Sequence, residues 1–179
     1  DGFGKKVGLA MAAAGAAVGA AAFKIGKDAV GAASDLEESI NAVNVAYGRA
    51  AEGVLKLGET SATQLGVSRA DFNAAAVRFS AFADTVVGAG GDVAGFVGDI
   101  STRAADFASV FNIDVSEALG VFQSGLSGEA EPLKRFGINL LQAEVEAYAL
   151  RTGLIDVGQT MTEQEKVQAR YGLLMESTA

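Results

Sequence analysis

Chemistry in this chain would have to come from carboxylates, amines and hydroxyls, because the sequence holds neither histidine nor cysteine. That removes serine–histidine and cysteine–histidine nucleophilic catalysis and the usual zinc ligand sets. It also leaves no disulfide framework from which to read a redox compartment. The densest charged group is Glu129, Glu131, Lys134 and Arg135, set around the sole proline, Pro132. Paired carboxylates are the minimum equipment for cleaving a glycoside, but that reaction needs them opposed across the substrate. Two residues apart in one loop, Glu129 and Glu131 read instead as partners of Lys134 and Arg135 and as favourable charge at a helix N-terminus. The glycine cluster at 88–91 superficially suggests a phosphate cradle. Val93 stands where a dinucleotide fingerprint wants its third glycine, and no strand precedes it, so it reads as a loop. Glu163, Glu165, Lys166 and Arg170 form a solvated helix face in which Glu163 and Lys166 are the attractive pair. No catalytic residue, cofactor site or metal site is expected, and the chain reads as a non-enzyme.

Charge and composition narrow the classes further. A net charge of −8 opposes a broad basic surface for duplex DNA, and basic residues interleaved with aromatics are missing, so sequence-specific nucleic-acid recognition is not expected. The 179 residues suffice for one or two small domains. Alanine dominates the apolar half, tryptophan is absent and β-branched runs are short. Thin helix-on-helix packing suits such side chains better than one thick core. The expected fold class is all-α: a long N-terminal Ala/Gly-rich helix with a coiled-coil-like seam over residues 1–60, then a compact multi-helix domain over 61–179.

Within the first part, residues 7–23 are uncharged and bracketed by Lys5, Lys6 and Lys24. A bilayer span needs about 20 apolar residues, and alanine and glycine are weakly apolar, so insertion would be near neutral. Gly15 and Gly19 form a GxxxG pair that permits close helix approach, in a membrane or in a packed rod. From Leu36 the apolar positions Leu36, Ile40, Val43, Tyr47, Ala50, Val54 and Leu57 alternate four and three apart, a seam of about three heptads. Two arrangements satisfy that stripe: a coiled coil between copies, or one helix laid on its own domain. Leu36, Ile40, Val43, Tyr47, Val54 and Leu57 are the expected self-association residues of a parallel homo-oligomer. A continuous helix from Lys5 to Lys56 would span on the order of 75 Å.

Residues 58–67 read as a break between rod and domain. Beyond it, Ser68 with Asp71 caps a helix to Val87, whose Phe72, Ala75, Ala76, Phe79 and Phe82 share a face. A helix over 92–112 places Phe96, Val97, Ile100, Ala104, Phe107 and Phe111 on its apolar side. Asp114 and Glu117 restart a helix to about Leu126. Pro132 then starts a short turn that ends at Gly137, where φ > 0 is cheapest. Asn139 is the expected cap of a helix over 140–151, and Thr162 with Glu165 opens the last helix as a capping box. Pro132, Phe136 and Gly137 are the residues expected to shape this domain.

The wording of three blocks adds what periodicity does not. DFASVFNIDVSEALGVFQSGLS at 106–127, GEAEPLKRFGINL at 128–140 and TEQEKVQARYGLLMEST at 162–178 together resemble the core region of tape measure proteins of long-tailed bacteriophages. Upstream of 106 the likeness is only compositional. The resemblance implies a rod-like protein that fills the tail lumen, sets tail length during assembly and leaves ahead of the DNA at infection. It implies tail tube and tail tip proteins as partners, the virion as location, and the host envelope after ejection. Such proteins are generally longer, and the chain is expected to be a piece of a longer polypeptide. The main alternative is a membrane-active helical protein whose residues 7–23 insert as a DNA conduit. The third is a muralytic enzyme using Glu129 and Glu131, since some members of that family carry separate wall-cleaving domains.

Overall fold

The computed structural model describes residues 31–179, and among them the chain is all-helical with no strand. The chain divides between Glu38 and Ser39. Of the first unit only residues 31–38 are described, and they are helical. The Ala/Gly run at 7–23, with Gly15 and Gly19, lies outside the described residues.

Helix α1 covers 31–47, of which 39–47 belong to the second unit. A short 3-10 turn, Gly48–Ala50, separates it from α2, Ala51–Gln64. The remaining helices are α3 (Arg69–Val87), α4 (Val93–Phe111), α5 (Val115–Ser127), α6 (Glu131–Lys134), α7 (Gln142–Arg151) and α8 (Glu163–Ser177).

Local chemistry accounts for most of these limits. Ser68 Oγ accepts from the Asp71 amide at 3.1 Å, and Asp92 Oδ1 from the Gly95 amide at 2.8 Å, each satisfying an orphan donor of a first turn. Asn112 closes α4 at φ 52°, a left-handed geometry that asparagine tolerates better than most side chains. Thr162 and Glu165 complete the full capping box of α8. Pro132 lies in the first turn of α6, and Gly137 ends the turn after it at φ 79°. Asn139 does not cap a helix beginning at 140. Its Oδ1 accepts from the Leu141 amide at 3.2 Å and α7 starts at Gln142; Leu140 is buried in the core and Leu141 is extended at φ −64° and ψ 156°.

The core alternates rings with methyls. Phe72, Phe79, Phe96, Phe107 and Phe122 interleave with Ala75, Ala76, Ala83, Ala104, Ala108 and Ala118, all buried. Alanines let helix axes approach, and phenylalanines fill what lies between them. Phe82 is half-buried and packs on the edge of this cluster. A second small cluster of Val145, Ala149, Ile155, Met161 and Ala169 joins α7 to α8.

Two sequence expectations are corrected. The break placed at 58–67 is not a break over most of that length, since α2 runs through it to Gln64. Gly58 is buried there as a contact residue: a Cβ on it would stand 2.7 Å from Asn73 Oδ1 and 3.3 Å from Phe72 Cδ1. The glycine serves close packing of α2 on α3. The expected continuous helix to Lys56 is interrupted instead at Gly48, which takes φ 52°. The domain boundary drawn at residue 60 thus falls within α2, whose Ala51 and Val54 belong to the main core.

Candidate functional site

The seam that was expected to join copies is largely spent inside the chain. Val43 and Val54 are fully buried in the main core, and Tyr47, Leu55 and Leu57 pack on it. Tyr47 donates its hydroxyl proton to the Ala76 carbonyl of α3. Burial pushes its phenol well above the ordinary value of 10.0. Ile40 is half-buried, as is Leu36 in the first unit. Of the two arrangements open to the stripe, residues 43–57 adopt the one in which the helix lies on its own domain. Periodicity identifies a face to be covered, and here α3 and α4 cover it.

The charged cluster takes the local form its spacing suggests. Glu131 pairs with Lys134 one turn on, both exposed, while Arg135 reaches Glu117 of α5 at 2.6 Å. Glu129 is exposed, its amide donating to the Ser124 carbonyl at 2.9 Å. Both carboxylates therefore sit on one exposed turn, and Arg135 stacks over the Phe136 ring with its guanidinium carbon 4.5 Å from the centroid. On α8, Lys166 Nζ donates to Glu163 Oε1 at 2.7 Å; that hydrogen bond, then the two nearby cations, hold the Glu163 carboxyl below 4.5. Glu165 is held below 4.5 chiefly by the Thr162 amide, which donates at 2.7 Å, then by the Thr162 hydroxyl. No group of three potential metal ligands occurs among the described residues. No helix among them is long and apolar enough to cross a membrane.

The three blocks that carry the resemblance form one packed body. Phe107 and Phe122 of the first block stack edge-on at 5.3 Å, and Phe136 of the second approaches Phe107 at 4.9 Å. Leu133, fully buried, fills the space above Gly125, where a Cβ would lie 2.6 Å from its Cδ1. The third block returns across the other two. Arg170 Nη1 donates to the Leu126 carbonyl at 3.4 Å and its guanidinium covers Gly128, which has φ 95°. Gln168 reaches the Thr85 carbonyl at 2.8 Å, and Tyr171 meets Phe96 at 5.3 Å. Pro132, Phe136 and Gly137, expected to shape the domain, all lie in the α5–α7 connection.

One feature escaped the sequence reading. Phe111, expected on the apolar side of α4, is 40% exposed, and its neighbour Val110 is 77% exposed. With Phe107, Phe136 and Ile138 they line an open cavity of about 470 Å³. The i,i+4 spacing of Phe107 and Phe111 gave the stripe, but only the path of the chain through Phe136 shows that its end emerges on the surface. No family model, curated protein or solved structure matches this chain.

Proposed function

We propose that this chain is a non-enzymatic structural part of a phage tail, belonging to the protein that occupies the tail lumen and measures its length. The observation that carries this reading is the ordered series of blocks at 106–127, 128–140 and 162–178. Their mutual packing supports it, because residues that share a resemblance also share one body. Composition is consistent with the role: an acidic helical protein repels DNA that shares its compartment. The mechanism is geometric. A helical chain of fixed residue count presents a fixed length, and tube subunits polymerise around it until its end is reached. Partners are then the tail tube and tail tip proteins, and the location is the tail lumen until ejection.

Imaging assembled particles that carry a small tag at an exposed position such as Val157 tests this reading. Tag density along the tube axis, with tails that shorten when helical residues are deleted from the chain, is the expected result. A tag found outside the tail, or tails of unchanged length after deletion, would sink it. Replacing both Glu129 and Glu131 by glutamine addresses the enzymatic alternative, because any wall cleavage that survives the pair dismisses them as its carboxylates.

A further inference from the structure

The heptad stripe runs through the α1–α2 bend without losing register: Ile40, Val43 and Tyr47 lie before it, Ala50 within it, and Val54 and Leu57 after it. The bend itself is thinly specified. Neither the Tyr47 nor the Ala50 boundary of the 3-10 turn has a side-chain cap, and Gly48 alone takes a positive φ there. Residues 39–47 are held on α3 through the Tyr47 hydroxyl on the Ala76 carbonyl and through Asn73 Nδ2 to Ser39 Oγ at 3.1 Å, while Val43 is buried in the main core. That contact is imperfect, because Asn73 Oδ1 is buried without a hydrogen-bond partner. On the far side of the bend α2 is seated more closely. A Cβ on Gly53 would meet Ala94 Cβ at 2.8 Å, and one on Gly58 would meet Asn73 and Phe72.

We infer that residues 39–64 are a two-state element. In the bent state, described above, Val43 and Tyr47 complete the core of their own chain. In the second state Gly48 turns helical, residues 39–47 and α2 join into one straight helix, and residues 39–47 swing away from α3. The face carrying Ile40, Val43 and Tyr47 then pairs with the same face of a second copy, in the parallel coiled-coil manner its spacing fits. Each state buries the same apolar stripe, once against self and once against a neighbour, so the balance between them follows protein concentration. This inference stands on the bend and the stripe, and does not depend on the tail assignment.

The test places spin labels at exposed positions 41 and 62 of the full chain and measures their separation by double electron–electron resonance. One straight helix sets these positions about 32 Å apart, and a bend brings them closer. Alanine disfavours positive φ and favours helix, so Gly48→Ala shifts the equilibrium about tenfold or more toward the straight form. Asparagine tolerates left-handed geometry, so Gly48→Asn keeps the bend. The expected result is the long distance together with dimeric sedimentation for Gly48→Ala, and the short distance with monomeric sedimentation for Gly48→Asn. An unchanged distance in Gly48→Ala, or a lengthened one in a protein that stays monomeric, overturns the inference. Should Gly48→Ala fail to fold, a concentration series of the wild-type chain decides the matter. A long-distance population that grows with concentration supports two states, and one distance throughout overturns them.

Discussion

Arg170 of α8 lays its guanidinium against the backbone of Gly128, so close that a Cβ there would start 2.8 Å from Nη2. The contact joins the end of α5 to the last helix across more than forty residues of sequence. It occurs where Gly128 takes φ 95° to end α5, with its amide bonded to the Gly125 carbonyl at 3.1 Å.

Two costs therefore meet at Gly128, and they are separable. The guanidinium is the far end of a flexible side chain and can move, whereas the positive φ cannot be relieved without unmaking the α5 terminus. Gly128→Ala is expected to destabilise the chain by about 1–2 kcal/mol, from the backbone alone. Urea denaturation of Gly128→Ala and of Gly128→Ala with Arg170→Ala checks this. Rescue of the first change by the second would show that steric crowding, rather than φ, sets the cost.

Gly172 presents the opposite balance. It lies within α8, where alanine is intrinsically preferred by about 0.5–1 kcal/mol. A Cβ there would nevertheless sit 2.1 Å from Tyr148 Oη and 2.5 Å from Cζ, and a ring gives way less readily than an arginine tip. Gly172→Ala is expected to destabilise by about 1–3 kcal/mol, the usual cost of overpacking. Adding Tyr148→Ala should reverse the sign, which thermal denaturation of the pair would register.

Leu133 anchors the turn that follows Pro132, and it is fully buried. Leu133→Ala is expected to cost about 2–5 kcal/mol and to loosen the α5–α7 connection first. Hydrogen exchange should report the Ile138 amide, which donates to the Leu133 carbonyl at 3.2 Å, as the earliest to lose protection. Uniform loss across all helices would contradict a local role.

The capping box of α8 fixes an acid-side pH dependence. Glu165 has its folded pKa depressed below 4.5, so its stabilising contribution is fully present above that value and is lost as pH falls through the depressed value. The stability difference between the wild type and Glu165→Ala is expected to be constant above pH 4.5 and to shrink in more acidic solution. A difference that grows on acidification would refute the assigned hydrogen bonds.

Tyr47 acts at the other extreme. Burial raises its folded pKa above 10.0, so its contribution is fully present below the unfolded value and declines once pH rises past it. Tyr47→Phe removes the hydroxyl bond to the Ala76 carbonyl and is expected to cost about 1 kcal/mol near neutrality. The same variant should lose less stability than the wild type on going above pH 10, as followed by circular dichroism.

Much of this architecture is written in short-range signals. Ser68, Asp92 and the Thr162–Glu165 box mark helix starts because a side-chain oxygen within a few residues must satisfy an exposed amide, and that geometry is local. Asn112 and Gly137 mark stops for an equally local reason, their tolerance of positive φ. All-α character and the apolar faces of α3 and α4 follow from residue types and spacing. What the stripe from Ile40 to Leu57 would lie against did not follow. Heptad spacing states which side of a helix avoids water and is silent on whether the cover is self or neighbour. Tertiary structure chose α3 and α4 for residues 43–57, by bending the chain at Gly48 and letting Gly53 and Gly58 seat α2 closely against Ala94, Asn73 and Phe72. It likewise gathered Phe107, Phe111 and Phe136, and set Arg170 over Gly128, because residues distant in sequence become neighbours only after several turns have fixed the chain's path.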